Sequence, residues 1–502
     1  MNAATRPGWW THPPTLVTVV GLILAGLLAA SVVSISPILT LGVAVAGVGT
    51  LFFLVRPVEA LTIAIVFRVF LDILWWVPFE VGGLNLSQLF SGAVFVMLIV
   101  ILLLKARALR RHPATGWALA MIGLLTLATV RAIDLAQDVD ILVRYYSTPL
   151  MLLATTVVFD TPRLRRRIVV LISLAAVVPI GVSMYKLGTG MSGYVLHGYM
   201  RLLGGYKNIH NHALVMMCFS LLFLGWSQSV PKRWQKWGAM GLSMASVVAV
   251  YYTYTRTGML GWAVSILGGL ILLKRYRLVG MALLLGSVFV LMDPTVQDRF
   301  SDLISVFDPT VRSVDRRSLG SGRWGLWSWS MQTYLAEPPY DWLIGLGLGG
   351  HRLTTLDWSR SFHRMGLTLD PHNDYLLYLY QMGPFGVLAY LGMVWVTFKA
   401  SFYVAHHTTD NWARYFAASV GGLSVGVVVT NGVSNSFIHR SAPGWYYWSL
   451  AGIVIGEYID LKAQIQAQAR AARPVAVLPP GALDAPPVPA LPGPAGVPQG
   501  ST

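Results

Sequence analysis

Pro371-His372-Asn373-Asp374-Tyr375-Leu376 closes a polar stretch of nearly eighty residues and opens a hydrophobic helix. An imidazole, an amide and a carboxylate are thereby placed where a helix leaves water for an apolar environment, and ionisable groups are costly to hold there without a purpose. Asn373 and Asp374 are also good helix caps, so a structural reading of the cluster stands beside a chemical one. The stretch before it is rich in arginine and follows a long series of apolar runs. Together these features point to chemistry at the water interface of a polytopic membrane protein.

Hydrophobic residues make up 55% of the chain and charged ones 12%, against about 25% charged in soluble proteins. Apolar runs long enough to cross a bilayer, about 20 residues each, recur near 15–34, 36–55, 58–78, 86–104, 115–132, 142–160, 168–187, 208–227, 237–254, 258–273, 278–292, 373–398, 412–432 and 440–458. The predicted fold is an all-α polytopic membrane protein of about 14 transmembrane helices. Residues 1–292 carry helices 1–11, 293–371 form a large, partly helical loop, 372–458 carry helices 12–14, and 459–502 form a polar helix and a Pro-rich tail. Only Ser34-Ile35-Ser36-Pro37 separates the first two runs, and the eleventh is short. Arg6 alone precedes the first run and no small-residue cleavage site follows it, so it reads as a retained helix. The single cysteine, Cys218, lies within a span and reads as inert packing.

The net charge of +16 is placed at helix ends and does not imply a nucleic-acid partner. With a cytoplasmic N-terminus, Arg56, Lys105/Arg107/Arg110/Arg111, Arg163/Arg165/Arg166/Arg167, Lys232/Arg233/Lys236 and Lys274/Arg275/Arg277 all fall on one side, as the positive-inside rule requires. These anchors need no ligand. Subtracting them leaves cations on the opposite face: Arg131, Arg144, Lys186, Arg201, Lys207, Arg256, eight arginines from Arg299 to Arg364, and Arg440. Arg256 is the sharpest, in the tight connection Tyr252-Thr253-Tyr254-Thr255-Arg256-Thr257-Gly258. A guanidinium there can grip a phosphate bidentately while its stem stays among aromatic rings; the alternative is a snorkelling arginine at a helix end. Arg201 and Lys207 flank Gly204-Gly205, a loop that either admits close backbone approach to a ligand or is an ordinary hairpin.

Within 293–371, Val296, Phe300, Leu303, Ile304 and Phe307 recur at helical spacing, an amphipathic stripe suited to a membrane surface. Ser321-Gly322-Arg323 leads a second helical stretch with Trp324, Trp327, Met331 and Tyr334, ended by Pro338-Pro339. The glycine run Leu343 to Gly350 reads as a flexible turn and not as a dinucleotide fingerprint, because no strand–helix unit surrounds it. Asp138-Val139-Asp140 has a carboxylate spacing that can hold a metal, or is a solvated acidic loop. His210-Asn211-His212 opens a lipid span and lacks a nuclease context, and His351, His363 and His372 have no zinc spacing. From Pro474 onward Pro, Ala and Gly dominate, the composition of an extended, disordered tail.

This pattern resembles the O-antigen ligase / O-antigen polymerase superfamily of bacterial envelope enzymes. Arg201 with Gly204 and Asn208 resembles the family's Arg-Gly-Asn stretch, Thr255-Arg256-Thr257 its Ser/Thr-Arg connection, and Ser321-Gly322-Arg323-Trp324 its Ser-Gly-Arg helix start. Pro338 through Gly349 resembles its Pro…Gly-x-Gly turn, and Pro371 through Leu376, ending in Gly383-Pro384-Phe385-Gly386, its His-Asn helix. The resemblance covers about residues 200–400. Lys207 and Ile209-His210 depart from it, standing where the family often has Asn-Pro-Asn. It implies a GT-C-like helical fold in the bacterial inner membrane; with a cytoplasmic N-terminus and fourteen spans, both termini are expected in the cytoplasm and the large loop in the periplasm. It also implies transfer of a glycan from undecaprenyl diphosphate to a glycan or lipid acceptor, with no metal and no cofactor required.

In the expected mechanism Arg256 and Arg323, with Arg201 and Lys207 beside them, bind the diphosphate, and His372 takes the proton of the acceptor hydroxyl. Asn373 and Asp374 orient the imidazole or the sugar. A single displacement inverts the anomeric carbon. The rival reading is a flippase for the same lipid-linked sugar, which calls for ionisable residues along a mid-membrane path and for internal repeats. No repeat is visible, and Arg68 is the one candidate for such a path.

Overall fold

The computed structural model describes residues 52–53, 55–74, 80–81, 84–110, 112–191, 193–196, 199–304, 323–352, 371–437 and 441–472. The first expected span, nearly all of the second, 305–322 and 353–370 of the large loop, and the Pro-rich tail lie outside these residues. Each expected span from the third onward coincides with a helix. In chain order the elements are α1 (Pro57–Ile73), β1 (Glu80–Val81), β2 (Leu84–Asn85), α2 (Leu86–Leu104), α3 (Ala106–Leu109), α4 (Thr115–Val130), α5 (Leu135–Val158) and α6 (Pro162–Gly188). There follow β3 (Tyr194–Leu196), β4 (Tyr199–Arg201), α7 (Ile209–Ser229), α8 (Arg233–Tyr252), α9 (Arg256–Leu272), α10 (Tyr276–Met292) and α11 (Pro294–Ile304). The last are α12 (Arg323–Ala336), α13 (Pro339–Ile344), α14 (Asp374–His407), α15 (Asn411–Val433) and α16 (Ser441–Ala471). The strands form two minimal antiparallel hairpins, with Glu80 opposite Asn85 and Tyr194 opposite Arg201.

By length and composition, six of these helices can cross a bilayer: α2, Ile141–Val158 of α5, α6, α7, α14 and α15. α4, α9 and α10 are apolar but shorter. The chain is therefore an all-α, multi-pass membrane protein, while the count of fourteen remains an expectation of the apolar pattern. The 23 residues of α15 extend about 35 Å at 1.5 Å per residue, enough for a hydrocarbon core of about 30 Å.

Side-chain caps fix where several helices begin. Asn85 and Gln88 form a reciprocal capping box on α2, Thr161 precedes Pro162 at the start of α6, and Asn208, Asn373 and Asp410 cap α7, α14 and α15. Each satisfies backbone N–H groups that a helix start leaves open.

α7 is deeply enclosed, with Ala213 through Leu222 all buried, and it packs on α8, α9 and α15. The largest helix contact is between α9 and α15. Gly261, Ser265 and Gly269 on one face Gly422, Gly426 and Thr430 on the other, so closely that a Cβ on Gly261, Gly422 or Gly426 would collide with the partner helix. Small residues four apart let helix backbones approach where no hydrophobic force separates protein from lipid. The seam fixes the register of the two helices, and this register places the start of α9 beside the end of α15.

Residues 1–459 form one compact unit and 460–502 a second. The described part of the second is the mostly exposed, polar end of α16.

Candidate active site at one end of the bundle

The connection from α8 to α9 is built by its hydroxyls. Thr253 Oγ1 donates to the Val250 carbonyl at 2.6 Å and lies 2.8 Å from Thr255 Oγ1, and both threonines are buried. Tyr254 turns the chain with a φ of 49°. Arg256 then occupies the first position of α9, where free N–H groups and the helix dipole favour an anion. Its guanidinium lies 5.9 Å from the Phe300 ring of α11. Tyr251, Tyr252 and Tyr254 pack edge to face beside this turn, and the Tyr251 hydroxyl donates to Asp293 at 2.5 Å. Burial pushes the Asp293 carboxyl up, but hydrogen bonds from Tyr251 and from the N–H groups of Val296 and Thr295 outweigh it and leave the acid below its ordinary value.

Arg201 ends β4 beneath this turn. It is 6% exposed, and its Nε donates to the Thr253 carbonyl at 2.9 Å and its Nη2 to the Tyr254 carbonyl at 3.4 Å. Leu202 N–H donates to the Tyr252 carbonyl at 2.9 Å. The geometry of Arg201 is thus that of a brace holding the residues that carry Arg256. Gly204 sits so tightly on the buried His212 ring that any side chain there would collide with it, which gives the Gly-Gly loop a packing role. Lys207 is exposed just before the Asn208 cap.

A second corner forms around the C-terminus of α15. The Arg323 guanidinium donates to the Val433 carbonyl at 2.6 Å. One residue earlier, the Gly432 carbonyl accepts from Asn373 Nδ2 at 2.8 Å, while Asn373 Oδ1 caps α14 by accepting from Tyr375 and Leu376 N–H at 3.0 and 3.1 Å. Trp327 Nε1, one turn after Arg323, donates to the Pro371 carbonyl at 2.8 Å. These bonds bring Arg323 and His372 to the same helix end. His372 itself is half-buried and adopts a φ of 50°, a left-handed conformation that costs about 1–2 kcal/mol outside glycine and tends to be retained where function over-determines it. Asp374 is fully buried and accepts from Ser436 N–H at 2.8 Å, so it acts on the turn after α15. The sequence marks Trp327 only as a member of a helical stretch, and sequence reasoning missed Ser436 and Asn431, whose side chain holds Phe437 N–H at 3.1 Å. Their signal was slight, a Thr430-Asn431-Gly432 break ending an apolar run.

The two corners share one end of the bundle. Gly261 meets Thr430 across the seam, and Arg256 lies five residues above Gly261 as Val433 lies three above Thr430. At 1.5 Å per residue these offsets differ by only about 3 Å in depth. The starts of α6, α8 and α15 lie at the other end, where Arg166 bonds Asp410 at 2.6 Å. The basic clusters and the candidate site therefore occupy opposite ends of the helices.

The glycine run after α13 is packed and not a flexible turn. Gly345, Gly347 and Gly349 have φ of 78°, 89° and 77°. Leu346 N–H donates to the Tyr380 carbonyl at 2.6 Å and Leu348 N–H to the Ala128 carbonyl at 2.8 Å. Gly345 abuts the backbone at Gln381, and Gly383, at a kink in α14 with φ 67°, abuts the Leu343 carbonyl. The Gly-x-Gly turn and the Gly-Pro-Phe-Gly segment are thus two halves of one interlock. Arg131 bonds Asp341 and the Gly345 carbonyl across it. Asp138 is buried and bonded by Arg352, and among the described residues no cluster of three metal-ligating side chains occurs. Arg68 is buried against Asp72 at 3.0 Å and Ser87 at 3.0 Å.

Fold and corner together define a multi-pass helical membrane protein with cations and a histidine gathered at one end of its bundle. Residues 241–391 match the O-antigen ligase family, so the chain carries a domain of the O-antigen ligase / O-antigen polymerase superfamily. The matched stretch includes Arg256, Arg323, His372, Asn373 and Asp374, whereas Arg201 and Lys207 precede it. No curated protein matches the chain.

Proposed function

We propose that this protein is a membrane glycosyltransferase of the ligase or polymerase type. It moves a glycan from undecaprenyl diphosphate to a hydroxyl of a glycan or lipid acceptor at the periplasmic face of the inner membrane. The observation that carries the reading is the convergence at the end of α15, where Arg323 and Asn373, the residue after His372, bond the adjacent carbonyls of Val433 and Gly432. The family match supports the same class of chemistry.

In this reading Arg256 and Arg323 take the diphosphate, whose departure is limited by the charge it gathers. Lys207 adds positive charge at the same end, and Arg201 acts by bracing the α8–α9 turn. His372 accepts the acceptor's hydroxyl proton as its oxygen attacks the anomeric carbon. The carbon–oxygen bond to the diphosphate breaks with its electron pair going to the leaving oxygen. One displacement inverts the carbon. Guanidinium groups meet the developing charge, so the reaction as drawn calls on no metal and no cofactor. Asn373 and Asp374 position His372 through the cap and the turn after α15.

Reconstitution with a lipid-linked oligosaccharide tests the proposal. Longer chains would mark a polymerase and a new conjugate a ligase. Release of neither product, with the lipid-linked sugar moved intact across the bilayer, would replace the proposal with a flippase.

A further inference from the structure

At the end of the bundle opposite the candidate site, a cavity of about 540 Å³ opens between the starts of α6 and α15 and the later part of α16. Its α6 wall is Arg163, Arg166, Arg167, Val170 and Leu171, the i, i+3, i+4, i+7, i+8 positions of one helix face. That face changes along the helix axis, from guanidinium groups in the first turns to aliphatic side chains in the next. Trp412 closes the opposite side.

Both carboxylates of the cavity are already engaged. Glu457 accepts from the buried Arg165 at 2.8 Å, and Asp410 from Arg166 at 2.6 Å, with the Arg166 guanidinium 4.9 Å from the Trp412 ring. Arg163 and Arg167 are exposed at the rim and face no carboxylate among the described residues. The positive-inside rule accounts for basic residues at this end but not for a cavity between helices with charge at its rim and an apolar wall below.

We propose that this cavity is a binding site for an anionic phospholipid of the surrounding leaflet. The phosphodiester lies between Arg163 and Arg167, and an acyl chain runs along Val170 and Leu171. Basic recesses between transmembrane helices suit such headgroups. A free anion would use the guanidinium pair and leave the aliphatic wall unexplained, and a zwitterionic lipid would not need two unpaired cations. The inference is independent of the glycan-transfer reading.

Native mass spectrometry of the full-length, detergent-solubilised protein tests it with phosphatidylglycerol, phosphatidylethanolamine and inorganic phosphate as probes. Phosphatidylglycerol should be retained about tenfold or more over phosphatidylethanolamine, and inorganic phosphate should not displace it. Arg163→Gln with Arg167→Gln should weaken retention on the order of tenfold or more, as expected for lost charge-assisted contacts. Val170→Trp, which fills the apolar wall and keeps every charge, should also expel the lipid and answers the question should the double variant fail to fold. Lys232→Gln with Arg233→Gln removes equal charge from the same end outside the cavity and should change nothing. Equal retention of both lipids, displacement by inorganic phosphate, or an equal loss in the Lys232/Arg233 variant would each overturn the site.

Discussion

Lysine and arginine carry the same charge at the start of α9, but only arginine presents two parallel donors to a phosphate. Arg256→Lys should therefore insert normally and lose about 30- to 1000-fold in glycan transfer, the loss of about 2–4 kcal/mol expected when a contact made in the transition state disappears. His372→Ala should be at least as impaired while still binding the lipid-linked donor. Near-normal transfer by both variants in the reconstituted assay would remove the site as drawn. Asn373 tests positioning, because its side chain both caps α14 and bonds the Gly432 carbonyl. Asn373→Ala should cost about 1 kcal/mol as a lost cap and lower turnover by up to about 100-fold through displacement of His372. KM for the donor should barely move, and Asn373→Asp, which keeps the capping oxygen, should fall between. A rise in KM at constant kcat would instead mark Asn373 as a direct substrate contact.

Helix positions in this protein were largely legible in its sequence, because apolar runs, Pro162 and the Asn and Asp caps act locally. The placement of Arg256 at a helix start after a tight turn was legible for the same reason. What was not legible depends on partners distant in the chain. Nothing local says that Arg201 will spend its donors on the carbonyls of Thr253 and Tyr254. Nor does anything local say that Asp374, next to His372, will be sealed beneath Ser436. The glycine run reads as flexible because its need for positive φ arises only where α13 meets the kink of α14. That interlock makes a prediction of its own. Gly345 has φ 78° and ψ 169°, a region essentially closed to other residues, so Gly345→Ala should cost about 1–3 kcal/mol from backbone strain alone, with steric displacement of Gln381 added. Gly286, in α10 with open space around it, is the control. Thermal unfolding in detergent should show a clear loss for Gly345→Ala and none for Gly286→Ala. Equal behaviour would mean that the glycine run is not held against α14.

Across the whole molecule, function depends on which end of the bundle faces which compartment. The structure separates the two ends: Arg256, Arg323 and His372 gather at one, and the basic clusters at the starts of α6 and α8 lie at the other. If the basic ends are retained on the cytoplasmic side, as the positive-inside rule expects, the proposed site lies on the periplasmic side, where in the glycan-transfer reading a lipid-linked glycan meets its acceptor. The tail beyond residue 472 has a composition that cannot bury a core, and with a cytoplasmic N-terminus the fourteen expected spans would put it in the cytoplasm, across the membrane from the proposed site. Truncation after Ala472 should accordingly leave transfer near wild type, and a large loss at normal expression would give the tail a role in the reaction. Orientation itself is tested by reporters that are active in one compartment only, fused at Asp315 in the large loop and after Ala472. The expected outcome is opposite signals, periplasmic at Asp315 and cytoplasmic at the tail. Matching signals would require an even number of crossings between them. Since α14, α15 and α16 are the helices that follow the loop, the first suspect would be α14, whose Gly383 kink could return the chain to the side it entered from. In that event His372 and the tail would share a compartment, and the separation of site from anchors on which the glycan-transfer reading rests would fail.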